Sequence, residues 1–313
     1  MPVKCSRCRE GYGEIYIRYS REYLCISCFN KFFEGRVKKT VEKYRMLSRG
    51  EYVGIGLSGG KDSAALLYVL KKLYPDKRYI AIHLHHGIDE YSVDSYNKAR
   101  ELAEMLDVEM YTFKYSEALG FTIKDVKKTK YGRKICSTCG FIRRWALAKA
   151  ARELGVDILA TGHNLDDTLE VMLSSFISGD YEYISRLKPV LPPLPPNNYW
   201  KVKPLINTPE YEVLLYVSFN NIPVKSLNCP LGDDARSLRR KEILRIWEEK
   251  EPMIKFQLFS SFTKKLTPLI EANTVEDWNV KVCRICGGPS NNDVCATCRR
   301  IEYIRNRLNI VVK

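Results

Sequence analysis

A chain of 313 residues with 45% apolar side chains is long enough for one sizeable core with small appendages. No run of eighteen apolar residues occurs, which argues against a membrane-spanning helix; the start Met1–Cys5 shows no apolar signal segment, so a cytoplasmic location is expected. The formal charge of +14, from 51 Lys plus Arg against 37 Asp plus Glu, suits a polyanionic partner without identifying it.

Taken in chain order, residues 1–33 are too few to bury a core of their own. Cys5, Cys8, Cys25 and Cys28 form a CxxC…CxxC array there that could staple them around zinc, and in a reducing compartment such pairs are metal sites more readily than disulfides. A basic helix is expected from about Glu34 to Arg49. Tyr52–Leu57 reads as a buried strand closed by a Gly-rich turn, and Lys61–Lys72 as a helix. Tyr79–Leu84 is a second strand, Ser92–Leu106 a helix, and Val108–Lys114 a third strand. Phe141–Leu154 reads as helix, Val156–Thr161 as strand and Leu165–Phe176 as helix. This alternation predicts an α/β fold, a parallel sheet flanked by helices, with small zinc modules at both ends. Leu187–Tyr199 is Pro-rich and predicts an extended surface excursion. Helices are expected from Pro209 to about Asn220 and over Ala235–Lys250. Cys283, Cys286, Cys295 and Cys298 form a second CxxC…CxxC array, with a gap of eight residues where the first has sixteen. The expected division is residues 1–33, 34–274 and 275–313.

The run Gly54–Ser63 (GIGLSGGKDS) looks superficially like a phosphate-binding Walker loop but fails that pattern: Ile55 stands where glycine is required, and Asp62, not Ser or Thr, follows Lys61. The physical content survives. Gly59 and Gly60 let backbone amides approach a phosphate, the following helix N-terminus favours an anion, Lys61 adds charge, Ser58 and Ser63 add hydroxyls, and Asp62 could help hold Mg²⁺. A second segment, Ala160–Asp167 (ATGHNLDD), also lies between a strand and a helix, where strand ends converge on a ligand crevice. There Asp166 and Asp167 could cap the helix or bind Mg²⁺, and His163 could take part in chemistry or simply fill a turn. His83, His85 and His86 are expected just beyond the second strand, bordering the nucleotide.

Three cysteines remain. Cys136-Ser-Thr-Cys139 places two thiols on a tight turn before a helix, and Cys229 lies about ninety residues later. The set reads equally as a catalytic disulfide pair with a resolving cysteine, as a structural zinc with a fourth non-cysteine ligand, or as an iron–sulfur cluster held at three corners. Lys127, Lys128, Lys130, Arg133 and Lys134 lead into it, with Tyr131 as a candidate for base stacking or packing. Arg299, Arg300, Arg305, Arg307 and Lys313 form a basic tail at the other end.

SGGKDS at Ser58–Ser63 is the signature of the PP-loop ATPases, and the ordered set of N-terminal CxxC…CxxC, SGGKDS, internal CxxC, TGHNLDD, Cys229-Pro230 and C-terminal CxxC…CxxC resembles the archaeal and thermophilic bacterial tRNA 2-thiouridine synthetases, together with the related 2-thiocytidine synthetases and wobble-uridine thiolases. The resemblance covers nearly the whole chain. It implies an enzyme that consumes ATP to AMP and pyrophosphate, adenylating the C2 oxygen of a tRNA uridine and replacing it with sulfur. It implies an ATP–Mg²⁺ site at Gly56, Leu57, Ser58, Gly59, Gly60, Lys61, Asp62, Ser63, His83, Gly162 and Asp167, with Asp167 as the catalytic acidic residue. It also implies a 4Fe-4S cluster on Cys136, Cys139 and Cys229 and one zinc in each terminal array. Some relatives have a lysine after the internal CxxC; Arg143 and Arg144 stand there here, and because Arg is a poor proton acceptor, Arg143 is assigned electrostatic work. The layout is closer to enzymes of the T-loop uridine (U54), with the wobble uridine (U34) as the main alternative. Sulfur is expected from outside, from a ubiquitin-like thiocarboxylated protein or as free sulfide, and a homodimer is the family expectation. The competing readings are a PP-loop amide ligase, which needs no three-cysteine cluster, and a zinc-bearing RNA-binding protein, which consumes no ATP.

Overall fold

The computed structural model describes residues 3–232, 236–273 and 280–310; the expected helix start at Ala235, the boundary at 274–275 and Lys313 of the basic tail lie outside them. The N-terminal segment opens with a hairpin of β1 (Ile15–Ile17) and β2 (Glu22–Leu24), paired Ile15 to Leu24. Helix α1 (Ile26–Lys43) follows at once, starting eight residues before the expected Glu34 and ending before Arg49. It begins early because Phe29, Phe33, Val37 and Val41 recur at helical spacing and are all buried. These side chains, with Ile15, Ile17 and Leu24, belong to the same apolar cluster as the sheet strands. Each stabilises the fold by roughly 2 kcal/mol on burial, so packing on the main body helps to hold this end in addition to its cysteine array.

The main sheet is a run of alternating elements: β3 (Tyr52–Gly56), α2 (Lys61–Leu73), β4 (Arg78–His85), α3 (Asp89–Met105), β5 (Glu109–Lys114), the short α4 (Tyr115–Leu119), α5 (Ile135–Glu153), β6 (Ile158–Ala160), α6 (Leu165–Ser178) and the short α7 (Tyr181–Ser185). Two further strands, β7 (Val190–Leu191) and β8 (Trp200–Val202), complete it. The strand order is β5-β4-β3-β6-β8-β7, with β7 antiparallel at the edge and the other pairings parallel. The Pro-rich segment therefore leaves and rejoins the sheet: its first residues form β7, its last lead into β8. Helices α8 (Glu210–Phe219), α9 (Arg236–Lys250), α10 (Ile254–Ser261) and α11 (Thr267–Asn273) cover one flank, α8 lying against α2. A small hairpin of β9 (Lys281–Val282) and β10 (Pro289–Ser290) precedes α12 (Ala296–Arg307).

The C-terminal segment docks on α5 and α4. Ile301 and Ile304 of α12 are buried with Ile142 and Ala146 of α5. Arg305 Nε donates to Leu119 O at 2.8 Å and its Nη2 to Ala118 O at 3.1 Å, so this tail arginine satisfies the end of α4. No helix among the described residues is long and apolar enough to cross a membrane.

Candidate nucleotide site and thiol centre

Strand β3 and helix α2 meet at Leu57–Gly60, and the loop is held before any ligand arrives. Ser58 N donates to Ser63 Oγ at 3.0 Å, the two hydroxyls stand 3.0 Å apart, and Leu57 N donates to Ile82 O at 2.9 Å. Gly59 is required twice over: its φ is +72°, and a Cβ would stand 2.4 Å from Ser95 O of α3. Gly162 lets the TGHN segment cross the start of α2, since a Cβ there would meet the Asp62 backbone at 2.8 Å.

Around Lys61 the structure builds a charge network that spans four elements. Lys61 Nζ donates to Asp62 Oδ2 at 3.0 Å and to Glu210 Oε1 at 2.6 Å. Lys241 of α9 donates to the other oxygen of Glu210 at 3.0 Å and pairs with Asp167 Oδ1 at 2.5 Å. Burial works against the Lys61 ammonium, but Asp62 and Glu210 outweigh it and raise its pKa. The same holds for Lys241, where Asp167 and Glu210 prevail. Burial raises Asp62 above the ordinary carboxylate range, opposed by Lys61 and supported by Asp167. Asn164 ties this network to α6: it forms a reciprocal capping box with Asp167 and donates from Nδ2 to Asp62 Oδ1 at 2.8 Å. Asp166 faces away, paired with buried Lys255 and accepting from Glu210 N at 2.8 Å; of the two carboxylates only Asp167 points toward the loop network. Asn164, Glu210 and Lys241 were absent from the expected site. Asn164 was legible as an N-cap, whereas Glu210 and Lys241 carry no local signal.

The histidines correct an expectation. His83 and His85 lie within β4 rather than in a loop beyond it, because the buried pattern of that strand continues through Leu84. His83 is 1% exposed, and its Nδ1 bonds Leu57 O at 2.9 Å. Burial lowers its pKa to about 4, so the ring is neutral and Nδ1 is the donor. It supports the loop from beneath. His163 Nδ1 lies 2.9 Å from Thr161 Oγ1 on the opposite side.

Cys136 and Cys139 sit within the first five residues of α5, not on a turn before it. The helix runs through Gly140, a residue whose cost of about 1 kcal/mol relative to Ala does not offset the buried stripe Thr138, Ile142, Ala146 and Ala150. As a result Cys136, Cys139 and Arg143 share one helix face. Cys229 arrives from the segment after α8: Cys136 Sγ donates to Leu231 O at 3.1 Å, and Cys139, Cys229 and Leu231 pack on one apolar cluster. Burial raises the Cys139 thiol; Arg143 lowers it, and Cys229 and Cys136 raise it further. Burial and Cys229 likewise raise Cys136. The three sulfurs thus converge, yet they do not all lie within 4.8 Å of one another, whereas thiolates on one tetrahedral zinc stand about 3.8 Å apart. Tyr131, the stacking candidate, packs edge-on against Tyr303 at 5.4 Å between centroids, beneath Arg300.

The terminal arrays are tighter. All four sulfurs in each lie within 4.8 Å of one another, with Cys8 to Cys25 and Cys286 to Cys295 both at 3.9 Å. Each knuckle uses the same device: the residue after the second cysteine, Arg9 or Gly287, has a positive φ of 61° or 67°. Cys25 and Cys295 then stand at the N-caps of α1 and α12. Either set could hold one tetrahedral ion.

A PP-loop domain model matches residues 30–245. The chain is 36% identical over 298 residues to the tRNA-5-methyluridine(54) 2-sulfurtransferase of Pyrococcus horikoshii, covering 95% of this chain and 93% of that one. It is 32% identical over 308 residues to the protein of the same name from Thermotoga maritima, covering 98% and 99%. Among solved structures, the U34-tRNA thiolase NcsA from Methanococcus maripaludis with its 4Fe-4S cluster superposes with a TM-score of 0.80 at 29% identity, covering 100% of this chain and 99% of that one. The pre-formed glycine loop, the convergent third set of thiols and similarity along nearly the full length agree, and the chain belongs to the PP-loop tRNA 2-thiolation (sulfurtransferase) family.

Proposed function

We propose that the chain thiolates a tRNA uridine at C2, with U54 of the T loop as its target, using ATP–Mg²⁺ and a 4Fe-4S cluster on Cys136, Cys139 and Cys229. One observation carries this reading: Lys225 N donates to Gly59 O of the nucleotide loop at 2.8 Å, and four residues further along the same segment Cys229 joins the other two thiols. Activation and sulfur delivery are thereby coupled through a few residues.

Gly56–Ser63, Gly162 and Asp167 surround the ATP phosphates and Mg²⁺, with His83 bracing the loop. The uridine C2 oxygen attacks the α-phosphorus and pyrophosphate leaves. Sulfur at the sulfide level then attacks C2, the C2–O bond breaks, and AMP departs with the oxygen. Lys61 and Arg143 stabilise the charge that develops on phosphate. Three cysteine ligands fit a cluster whose sulfurs stand wider apart than those on a single ion, and when bound such a cluster supplies one iron position open to sulfur. The two terminal arrays each hold zinc, consistent with their 3.9 Å sulfur spacing, and delimit functional units at residues 1–33, 34–274 and 275–313. The basic segment around Lys127–Lys134 and the C-terminal module grip tRNA. Sulfur comes from a thiocarboxylated ubiquitin-like protein or free sulfide, the enzyme is a homodimer, and the reaction takes place in the cytoplasm.

The names of the 36% and 32% identical relatives support U54; the solved thiolase supports U34 as the second reading. Anaerobic incubation with ATP–Mg²⁺, sulfide and unmodified tRNA, followed by nucleoside mass spectrometry and mapping, decides. We expect 2-thiouridine at position 54, lost when that base is replaced by cytidine. Product at position 34 supports the second reading, and AMP formation without a thiolated base defeats both.

A further inference from the structure

Lys61, Lys241 and Lys225 belong to the surroundings of the nucleotide loop, and they are not equivalent. Lys61 and Lys241 each pair with two carboxylates. Lys225 has no carboxylate partner within ion-pair distance among the described residues. Its side chain runs beside the loop, Cε 3.7 Å from where a Gly60 Cβ would stand. Its ammonium donates to Tyr91 OH and lies 4.0 Å from the centroid of that ring. The backbone holding it is tied down on both sides: Lys225 N to Gly59 O at 2.8 Å, and Ser226 N and Leu227 N to Asp94 Oδ2 at 2.9 and 3.0 Å. Desolvation depresses the ammonium to about 8; Cys229, Asp94, Arg143 and Lys61 are the charged or titratable groups that also act on it. A partly buried cation that has given up water without gaining a counterion is a site that an anion completes.

Position says which anion. Lys61 and Lys241 lie with Glu210 on the α8–α9 side of the loop, whereas Lys225 lies on the side of α3 and the three thiols. We propose that Lys225 is a catalytic residue that contacts the α-phosphate of ATP and then the phosphate of the adenylated uridine, leaving the outer phosphates to Lys61. This assignment rests on the thiolation reading above. In the first step the charge it meets grows as the α-phosphorus takes on a fifth oxygen and pyrophosphate leaves; in the second it stays beside AMP as the C2–O bond breaks.

The test compares wild type, Lys225→Met and Lys225→Arg as full-length protein. The backbone bonds that anchor the segment survive both substitutions, and melting temperature and zinc content report folding. We expect Lys225→Met to lose about 100-fold in tRNA-dependent kcat for AMP formation with little change in KM for ATP, and Lys225→Arg to recover a substantial part. A separate readout needs no turnover: AMP should protect Lys225 from an amine-acylating reagent, followed by peptide mass spectrometry. Wild-type AMP formation by folded Lys225→Met, or labelling that AMP leaves unchanged, overturns the assignment. If wild type forms no AMP with any tRNA, the thiolation reading fails instead, while AMP protection still decides whether Lys225 meets the phosphate.

Discussion

The terminal arrays and the central thiol centre use the same residue in opposite ways. At each end four sulfurs close on one another within 4.8 Å, positioned by knuckle turns and helix N-caps. In the centre there are three, spaced more widely, with Cys136 exposed and Arg143 one turn beyond Cys139. A complete tetrahedral set saturates its ion and serves folding, whereas an incomplete set backed by cations leaves room for a reactant. The difference predicts which substitutions stop chemistry and which loosen structure.

The largest effect should come from Cys229→Ala. Thiolation falls by at least about 1,000-fold, because in the proposed mechanism adenylation without the third thiol leaves no route for sulfur, while zinc stays at two per chain and ATP binding persists. Normal turnover by this folded variant erases the distinction between open and closed sets. Arg143→Ala comes next, with a loss of about 100-fold in thiolation that Arg143→Lys largely restores; no loss would mean the cation behind the thiols is not used. Cys298→Ala should act in the reverse sense. Metal analysis finds one zinc instead of two and the melting temperature falls by about 5–10 °C, but thiolation declines only about tenfold, through weaker docking of α12. An unchanged zinc content would show that the C-terminal set is not a closed metal site.

Much of the site was readable because its signals are local. SGGKDS between a buried strand and a helix, and NLDD at a helix start, each announce their geometry within eight residues. The register of CxxC was less legible: the helix was expected to start at Phe141, yet the buried stripe from Thr138 to Ala150 carries it back through Gly140 to Ile135. The histidines of β4 were misplaced for a related reason, since a strand buried on both faces shows no alternation to mark its end. Arg305 read only as one residue of a basic tail, and the structure shows its guanidinium donating to the terminal carbonyls of α4.

The order of cysteine pairs, the glycine loop and the strand–helix alternation are properties of short segments, and local chemistry alone determined the fold class, the nucleotide loop and three candidate sulfur-ligand sets. The contacts of Lys61 with Glu210, of Lys241 with Asp167 and of Lys225 with Tyr91 join residues up to 149 positions apart. Those relations were decided only when the sheet brought distant helices to one edge, because a charge acts through space and its partner need leave no trace in the neighbouring sequence.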